Sequence, residues 1–83
     1  MYYLYVLKMG NNQLYVGFTN DLKNRIREHN YGKVLTTRKY LPVKLVYYEC
    51  YASMSDAKQR EKMIKKFGST YGHLKRRILN SIK

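Results

Sequence analysis

Apolar and polar-capable positions alternate twice near the start of the chain, in Tyr2-Tyr3-Leu4-Tyr5-Val6-Leu7 and in Leu14-Tyr15-Val16-Gly17-Phe18. A period of two is what a strand with two unlike faces requires, and Gly10-Asn11-Asn12 between the runs supplies turn chemistry. Pairing residue i with 20−i predicts a hairpin in which Leu4 faces Val16, Val6 faces Leu14 and Tyr5 lies opposite Tyr15. The aliphatic side is then the core side, which leaves Tyr3, Tyr5, Tyr15 and Gly17 together on the other. Gly17 ends that row without a side chain, an opening through which a ligand would reach the backbone.

Beyond the hairpin, Asn20 or Asp21 is placed to cap a helix running to about Asn30 and stopped by Tyr31-Gly32. Residues 33–43, with Thr36, Thr37, Arg38, Lys39 and then Pro42, read as a basic surface loop. Lys44 to Tyr51 is rich in β-branched and aromatic residues and predicts a third strand. Ser53 with Asp56 fits a capping box for a second helix closed by Gly68. Leu74, Ile78 and Ile82 then recur at four-residue intervals on a last helix from Thr70 to Ile82. The order β-β-α-β-α-α predicts an α+β fold, an α/β sandwich in which a small three-stranded, mainly antiparallel sheet is flanked by helices.

Helix geometry, at about 100° per residue, sorts the polar residues. Leu22 and Ile26 define the apolar stripe of the first helix, and Arg25 and His29 fall close to it; Lys23, Asn24, Arg27 and Glu28 point elsewhere. Met54, Ala57 and Ile64 mark the stripe of the second helix, with Glu61 beside it. A carboxylate held near a core needs a cation, a metal or water, because burying it uncompensated costs several kcal/mol. Pairing with Lys65 one turn on is the plain alternative, worth about 0.3–0.5 kcal/mol.

Charge narrows the class of partner. The chain has 83 residues, enough for one domain spanning 1–83, and its 17 Lys and Arg against five Asp and Glu give +12. Nucleic acid is the expected partner, through Lys23, Arg38, Lys39, Lys58 and Lys65, with backbone access at Gly17. A membrane is not, since no apolar run approaches a span of about 20 residues. Met1 leads straight into the first strand with no basic leader, so the expected location is cytoplasmic. Cys50 is the single cysteine and fits a small buried strand position; with only His29 and His73 beside it, a zinc site lacks ligands. Five carboxylates also argue against a two-metal centre; if a metal works here, the expectation is one hard cation held mainly by water, one carboxylate and the substrate.

In order, Tyr3-Leu4-Tyr5, Tyr15-Val16-Gly17, Arg25, His29 and Glu61 resemble the signature of the GIY-YIG nucleases. The likeness covers most of the chain and is nearest to short single-domain bacterial members, through Pro42-Val43-Lys44-Leu45-Val46-Tyr47-Tyr48-Glu49 and Arg60-Glu61-Lys62. The nuclease domain of the excision-repair incision subunit is more distant. Two positions depart from the pattern: Tyr3 stands where the first glycine is usual, and His73 where many active relatives have an asparagine, with Asn80 poorly placed to replace it.

The resemblance implies a divalent-metal-dependent endonuclease acting on DNA, structure-selective and working in repair or processing. Glu61 would hold Mg²⁺ or Mn²⁺, Arg25 would bind the phosphate, and Tyr5 would activate water. Tyr15 would orient water or phosphate, and His29 would relay the proton or serve as the base. A nucleic-acid-binding module with weak or lost cleavage is the alternative that the His73 departure favours. DNA is expected ahead of RNA, and a protein partner would supply targeting where the single domain does not.

Overall fold

The computed structural model describes all 83 residues. The elements are β1 (Tyr2–Lys8), β2 (Leu14–Thr19), α1 (Leu22–Asn30), a 3₁₀ turn at Arg38–Tyr40, β3 (Lys44–Tyr51), α2 (Met54–Lys66), α3 (Gly68–Arg77) and α4 (Leu79–Ile82). β1 is central in the antiparallel order β2-β1-β3, so the expected α+β class and three-stranded antiparallel sheet are what the chain forms.

The hairpin register differs from expectation by two residues. Tyr5 lies opposite Gly17, Val6 opposite Val16, and Leu7 opposite Tyr15. The turn explains the shift, because pairing i with 20−i would set Met9 against Asn11 with a single residue to reverse the chain. Instead Met9 N–H donates to Gln13 O (2.8 Å) and Gly10-Asn11-Asn12 makes the turn, with Asn12 in the left-handed region at φ 68°. A slip of two preserves the sorting of side chains between faces, so the aliphatic face survives while every cross-strand partner changes.

Both faces of the sheet are covered. Leu4, Val6 and Val16 pack against Ile64, Leu74 and Ile78 of the C-terminal helices. On the opposite face Tyr5, Leu7, Met9 and Val43 form a second cluster, joined by Leu22 and Ile26 of α1. The row of phenols expected on an open face is therefore partly interior, and Tyr5 is fully buried. Leu22 and Ile26, both half-buried, pack α1 against that second cluster.

Local expectations are met at some positions and corrected at others. Asp21 caps α1, its Oδ1 accepting from Asn24 N–H at 3.1 Å, and Gly32 past the helix end has φ 74°. Ser53 occupies the N-cap of α2, but its side chain makes no capping bond, so the capping box does not form. Gly68 begins α3 rather than closing α2; the break falls at Phe67, whose backbone is extended at φ −112°, ψ 113°. The last helix is divided at Ile78, which is buried as its spacing required. Met54, assigned to the apolar stripe of α2, is exposed. Cys50 is also exposed, on an edge strand opposite Tyr3. No helix is long and apolar enough to cross a membrane.

Candidate active site

Gly17 is where the site begins, because its missing side chain admits Tyr5. A Cβ built at Gly17 would stand 2.5 Å from Tyr5 Oη and 2.9 Å from Cε1, closer than atoms can approach. The opening predicted for a ligand is thus filled by the phenol of the neighbouring strand. The same close approach sends the Tyr5 ring across β2 with its hydroxyl directed into the α1 side of the sheet.

There the hydroxyl meets the two residues that helix geometry turned inward. Tyr5 Oη lies 2.9 Å from His29 Nε2, and Arg25 Nε–H donates to the same oxygen at 3.3 Å. His29 has no exposed surface and its Nδ1 is 2.7 Å from Thr37 Oγ1, which is equally buried. The loop 33–43, read as a surface segment, therefore sends the polar side chain of Thr37, as well as Val43, into the interior. No sequence signal separates Thr37 from Thr36; the 3₁₀ turn that follows, with Tyr40 N–H bonded to Thr37 O at 2.9 Å, makes the difference.

The proton positions follow from the partners. Arg25 can only donate to Tyr5, and the phenol is a far stronger acid than the threonine alcohol, so Tyr5 takes the imidazole lone pair at Nε2. The other ring nitrogen, Nδ1, faces the Thr37 hydroxyl, a group that both donates and accepts. Burial, then the Arg25 charge, pushes the imidazole below its ordinary pKa and keeps it neutral at pH 7. Burial also pushes the Tyr5 phenol up, against the pull of the Arg25 hydrogen bond, and the Tyr15 and Glu61 charges add to the rise. Positive charge beside Tyr5, expected to lower its pKa, is present but outweighed.

The remaining expected residues lie around this buried chain. The Tyr15 ring is half-buried, with its centroid 5.1 Å from that of His29 and 6.3 Å from that of Tyr5. Lys65 Nζ sits 6.0 Å over the Tyr15 ring and also bonds Glu61 Oε2 at 3.1 Å. The plain helix pair is therefore formed, and it ties Glu61 to the Tyr15 edge of the site. An open cleft lined by Phe18, Asn24, Arg25, Glu28 and Met54 gives access to the guanidinium, and Lys58 Nζ stands 5.5 Å over Phe18 at its side. Lys23, Arg38 and Lys39 are exposed but on separate stretches, and His73 is exposed on α3. No three His, Cys, Asp or Glu side chains gather to form a metal cage. Glu61 by Tyr15 and Glu28, which pairs with Arg25 at 3.5 Å, are the carboxylates at the site, hard oxygen donors that suit an aquated Mg²⁺-type cation and not zinc.

A second polar group escaped sequence reasoning. Glu49 on β3 accepts from the hydroxyls of Tyr47 and Tyr51, both at 2.5 Å, and from Arg60 Nε at 3.0 Å and its terminal NH₂ at 3.2 Å. The spacing of Tyr47, Glu49 and Tyr51 on one strand face was the available signal. Arg60 adjoins Glu61, so this group anchors the turn of α2 that carries the candidate metal ligand.

A small antiparallel sheet thus carries a buried tyrosine-histidine pair, an arginine on the phenol and an acid at the edge. The chain belongs to the GIY-YIG family: residues 1–75 match the model described as the GIY-YIG catalytic domain. It is similar to the UPF0213 protein of Bacillus pumilus (strain SAFR-032), 48% identical over 61 residues, which are 72% of this chain and 62% of that protein. The UPF0213 protein HQ_3675A of Haloquadratum walsbyi is 40% identical over 67 residues, 80% of this chain and 75% of its own. The solution NMR structure of the UPF0213 protein BH0048 from Bacillus halodurans has the same fold, with a TM-score of 0.55, 30% identity, and coverage of 90% of this chain and 86% of that one.

Proposed function

We propose that this protein is a divalent-metal-dependent endonuclease that hydrolyses DNA phosphodiester bonds, selecting by nucleic-acid structure and serving DNA repair or processing. The observation that carries the reading is the pair of bonds at Tyr5 Oη, from Arg25 on one side and to His29 on the other, in a chain whose surface is strongly basic. Phosphoryl transfer asks a protein mainly to align the reactants and stabilise charge, and this arrangement suits both tasks.

Arg25 binds the non-bridging oxygens of the scissile phosphate through its outward nitrogens. In the free protein its Nε covers Tyr5, which has no exposed surface. A phosphate that draws the guanidinium forward frees the lone pair on Oη, so substrate itself uncovers the base. Tyr5 then accepts a proton from the attacking water and passes its own to His29 Nε2, which is neutral and so able to receive it. Tyr15, half-exposed beside them, orients the water. Glu61 would hold Mg²⁺ or Mn²⁺, which when bound polarises the phosphate and stabilises the leaving oxygen. Lys58 and Lys65 hold the flanking backbone. Selection without a sequence-reading domain comes from DNA shape or a targeting partner.

Incubating branched, nicked, single-stranded and duplex DNA with Mg²⁺ or Mn²⁺ tests the reading. Wild type should cut at least one of these, and Glu61→Ala and Tyr5→Phe should each lose roughly 10²-fold or more in rate. Cleavage indifferent to both changes refutes the site. Salt-sensitive binding without cleavage of any substrate transfers the protein to the binding-module class, a reading that the Lys65 grip on Glu61 favours.

A further inference from the structure

We infer that Thr37 is a positioning residue of the proposed site: its Oγ1 accepts from His29 Nδ1 and thereby holds Nε2 unprotonated and facing the Tyr5 hydroxyl. The inference rests on the nuclease reading for its catalytic consequence, but the tautomer it assigns is a property of the free protein.

Thr37 is the one residue of the loop 33–43 whose side chain is wholly withdrawn from water ahead of Val43, and its hydroxyl ends 2.7 Å from Nδ1. An imidazole buried with no charged partner on that side has a choice of two tautomers. Only the one protonated at Nδ1 offers Tyr5 an acceptor, and without a group to receive the Nδ1 proton that tautomer leaves a buried N–H unpaired, at about 1–3 kcal/mol. A threonine oxygen accepts that proton while adding no charge, so the ring stays neutral until Tyr5 gives up its proton. During the relay, water gives a proton to Tyr5 Oη, Tyr5 gives its own to Nε2, and the resulting imidazolium keeps its Nδ1–H on Thr37. Groups facing the pair from elsewhere are Arg25 and Glu28 on α1, Tyr15 on β2 and Glu61 on α2. None of these has a hydrogen bond to Nδ1.

The placement has a second consequence. Thr37 precedes Arg38 and Lys39, exposed cations expected to meet nucleic acid, so the loop that would touch the phosphates also sets the proton state of the buried histidine.

The test uses the whole chain with His73→Gln, which removes an exposed imidazole and leaves His29 as the only one. Imidazole ¹⁵N NMR at neutral pH should show a protonated Nδ1 and a bare Nε2 in wild type and in Thr37→Ser. In Thr37→Val, which keeps the shape and removes the oxygen, the Nδ1–H pattern should give way to Nε2–H or a mixture. Cleavage kcat should fall roughly 10²-fold in Thr37→Val with KM unchanged, and Thr37→Ser should recover most of it. A wild-type Nε2–H tautomer overturns the inference, as does a valine variant that keeps both the Nδ1–H signal and full kcat. If the valine variant fails to fold, a serine variant lacking the Nδ1–H pattern overturns it alone. Should no DNA be cut by wild type while the tautomer shifts as stated, the nuclease reading falls and the positioning role of Thr37 stands.

Discussion

Replacing Gly17 with alanine perturbs the site by one methyl group and no charge. The backbone at Gly17 is ordinary strand, so the substitution carries no conformational penalty of its own and its whole effect is steric. The new Cβ would lie 2.5 Å from Tyr5 Oη and 2.9 Å from Cε1. The ring cannot yield freely, because it is fully buried and its oxygen is shared between His29 and Arg25. Overpacking of a filled core costs about 1–3 kcal/mol. Breaking the two bonds at Oη adds about 1 kcal/mol for the His29 bond and somewhat more for the charged Arg25 donor, offset by whatever new geometry forms. A total of about 2–4 kcal/mol is expected, a large part of the stability of so small a domain. Urea unfolding followed by circular dichroism measures it, and the decisive arm is a double-mutant cycle with Tyr5→Leu, whose shorter side chain does not reach the space above Gly17. In that background Gly17→Ala should cost less than about 0.5 kcal/mol. An equal cost in both backgrounds, or a negligible cost in wild type, refutes the claim that Gly17 exists to seat Tyr5.

The acid limb of stability should have two separable parts. Hydrogen bonds from Arg60, Tyr47 and Tyr51 outweigh burial and hold the Glu49 carboxyl below its usual range, so its contribution is present above about pH 4.3 and lost as pH falls through the folded pKa. Glu49→Gln should therefore destabilise by about 2–3 kcal/mol at pH 7, with the gap closing in strong acid. His29 is also depressed, by burial first, so the unfolded chain takes up its proton earlier on acidification and the native state loses stability as pH drops below about 6.5. His29→Gln should flatten that part of the curve, and an unchanged slope between pH 7 and 5 would refute the buried neutral imidazole. At the surface, Lys58→Ser should lower the slope of log Kobs against log salt for DNA by about one without changing any preference among sequences; an unchanged slope would remove Lys58 from the interface.

Residues with a strong periodic setting were legible from sequence. Leu4, Val6 and Val16 on one strand face, Leu22 and Ile26 on α1, and Ala57 and Ile64 on α2 are core or near-core where their spacing put them. The same periodicity turned Arg25 and His29 inward, because a helix rotates every residue by a fixed angle. Register was not legible in this way, since a two-residue slip leaves the alternation intact and only the turn decides it. Burial of Thr37 was illegible for a different reason: residues 33–43 have no repeating geometry, and its inward path depends on a 3₁₀ turn tied to the hairpin through Gly10 N–H and Tyr40 O. Cys50 failed on tertiary grounds, as composition made it a buried strand residue while its place on the edge strand β3 leaves it exposed.

The distribution of acids makes the same division between scaffold and site. Asp21 caps α1, Glu28 lies 3.5 Å from Arg25, Glu49 is enclosed by three donors, and Glu61 holds Lys65. Of these, Glu49 is spent wholly on structure, for its partners occupy both oxygens. Glu61 differs: only Oε2 is engaged, its partner Lys65 is half-exposed, and a surface pair of that kind is worth less than about 1 kcal/mol. In the proposed reaction a divalent cation would compete with a single ammonium for that carboxylate, and displacing Lys65, which sits over Tyr15, would free its charge for a phosphate backbone there. The arrangement thus places a weakly held carboxylate next to a strongly held proton chain. In the proposed reaction that contrast would matter, since a carboxylate that takes a metal must exchange partners while the phenol, imidazole and threonine beneath must not.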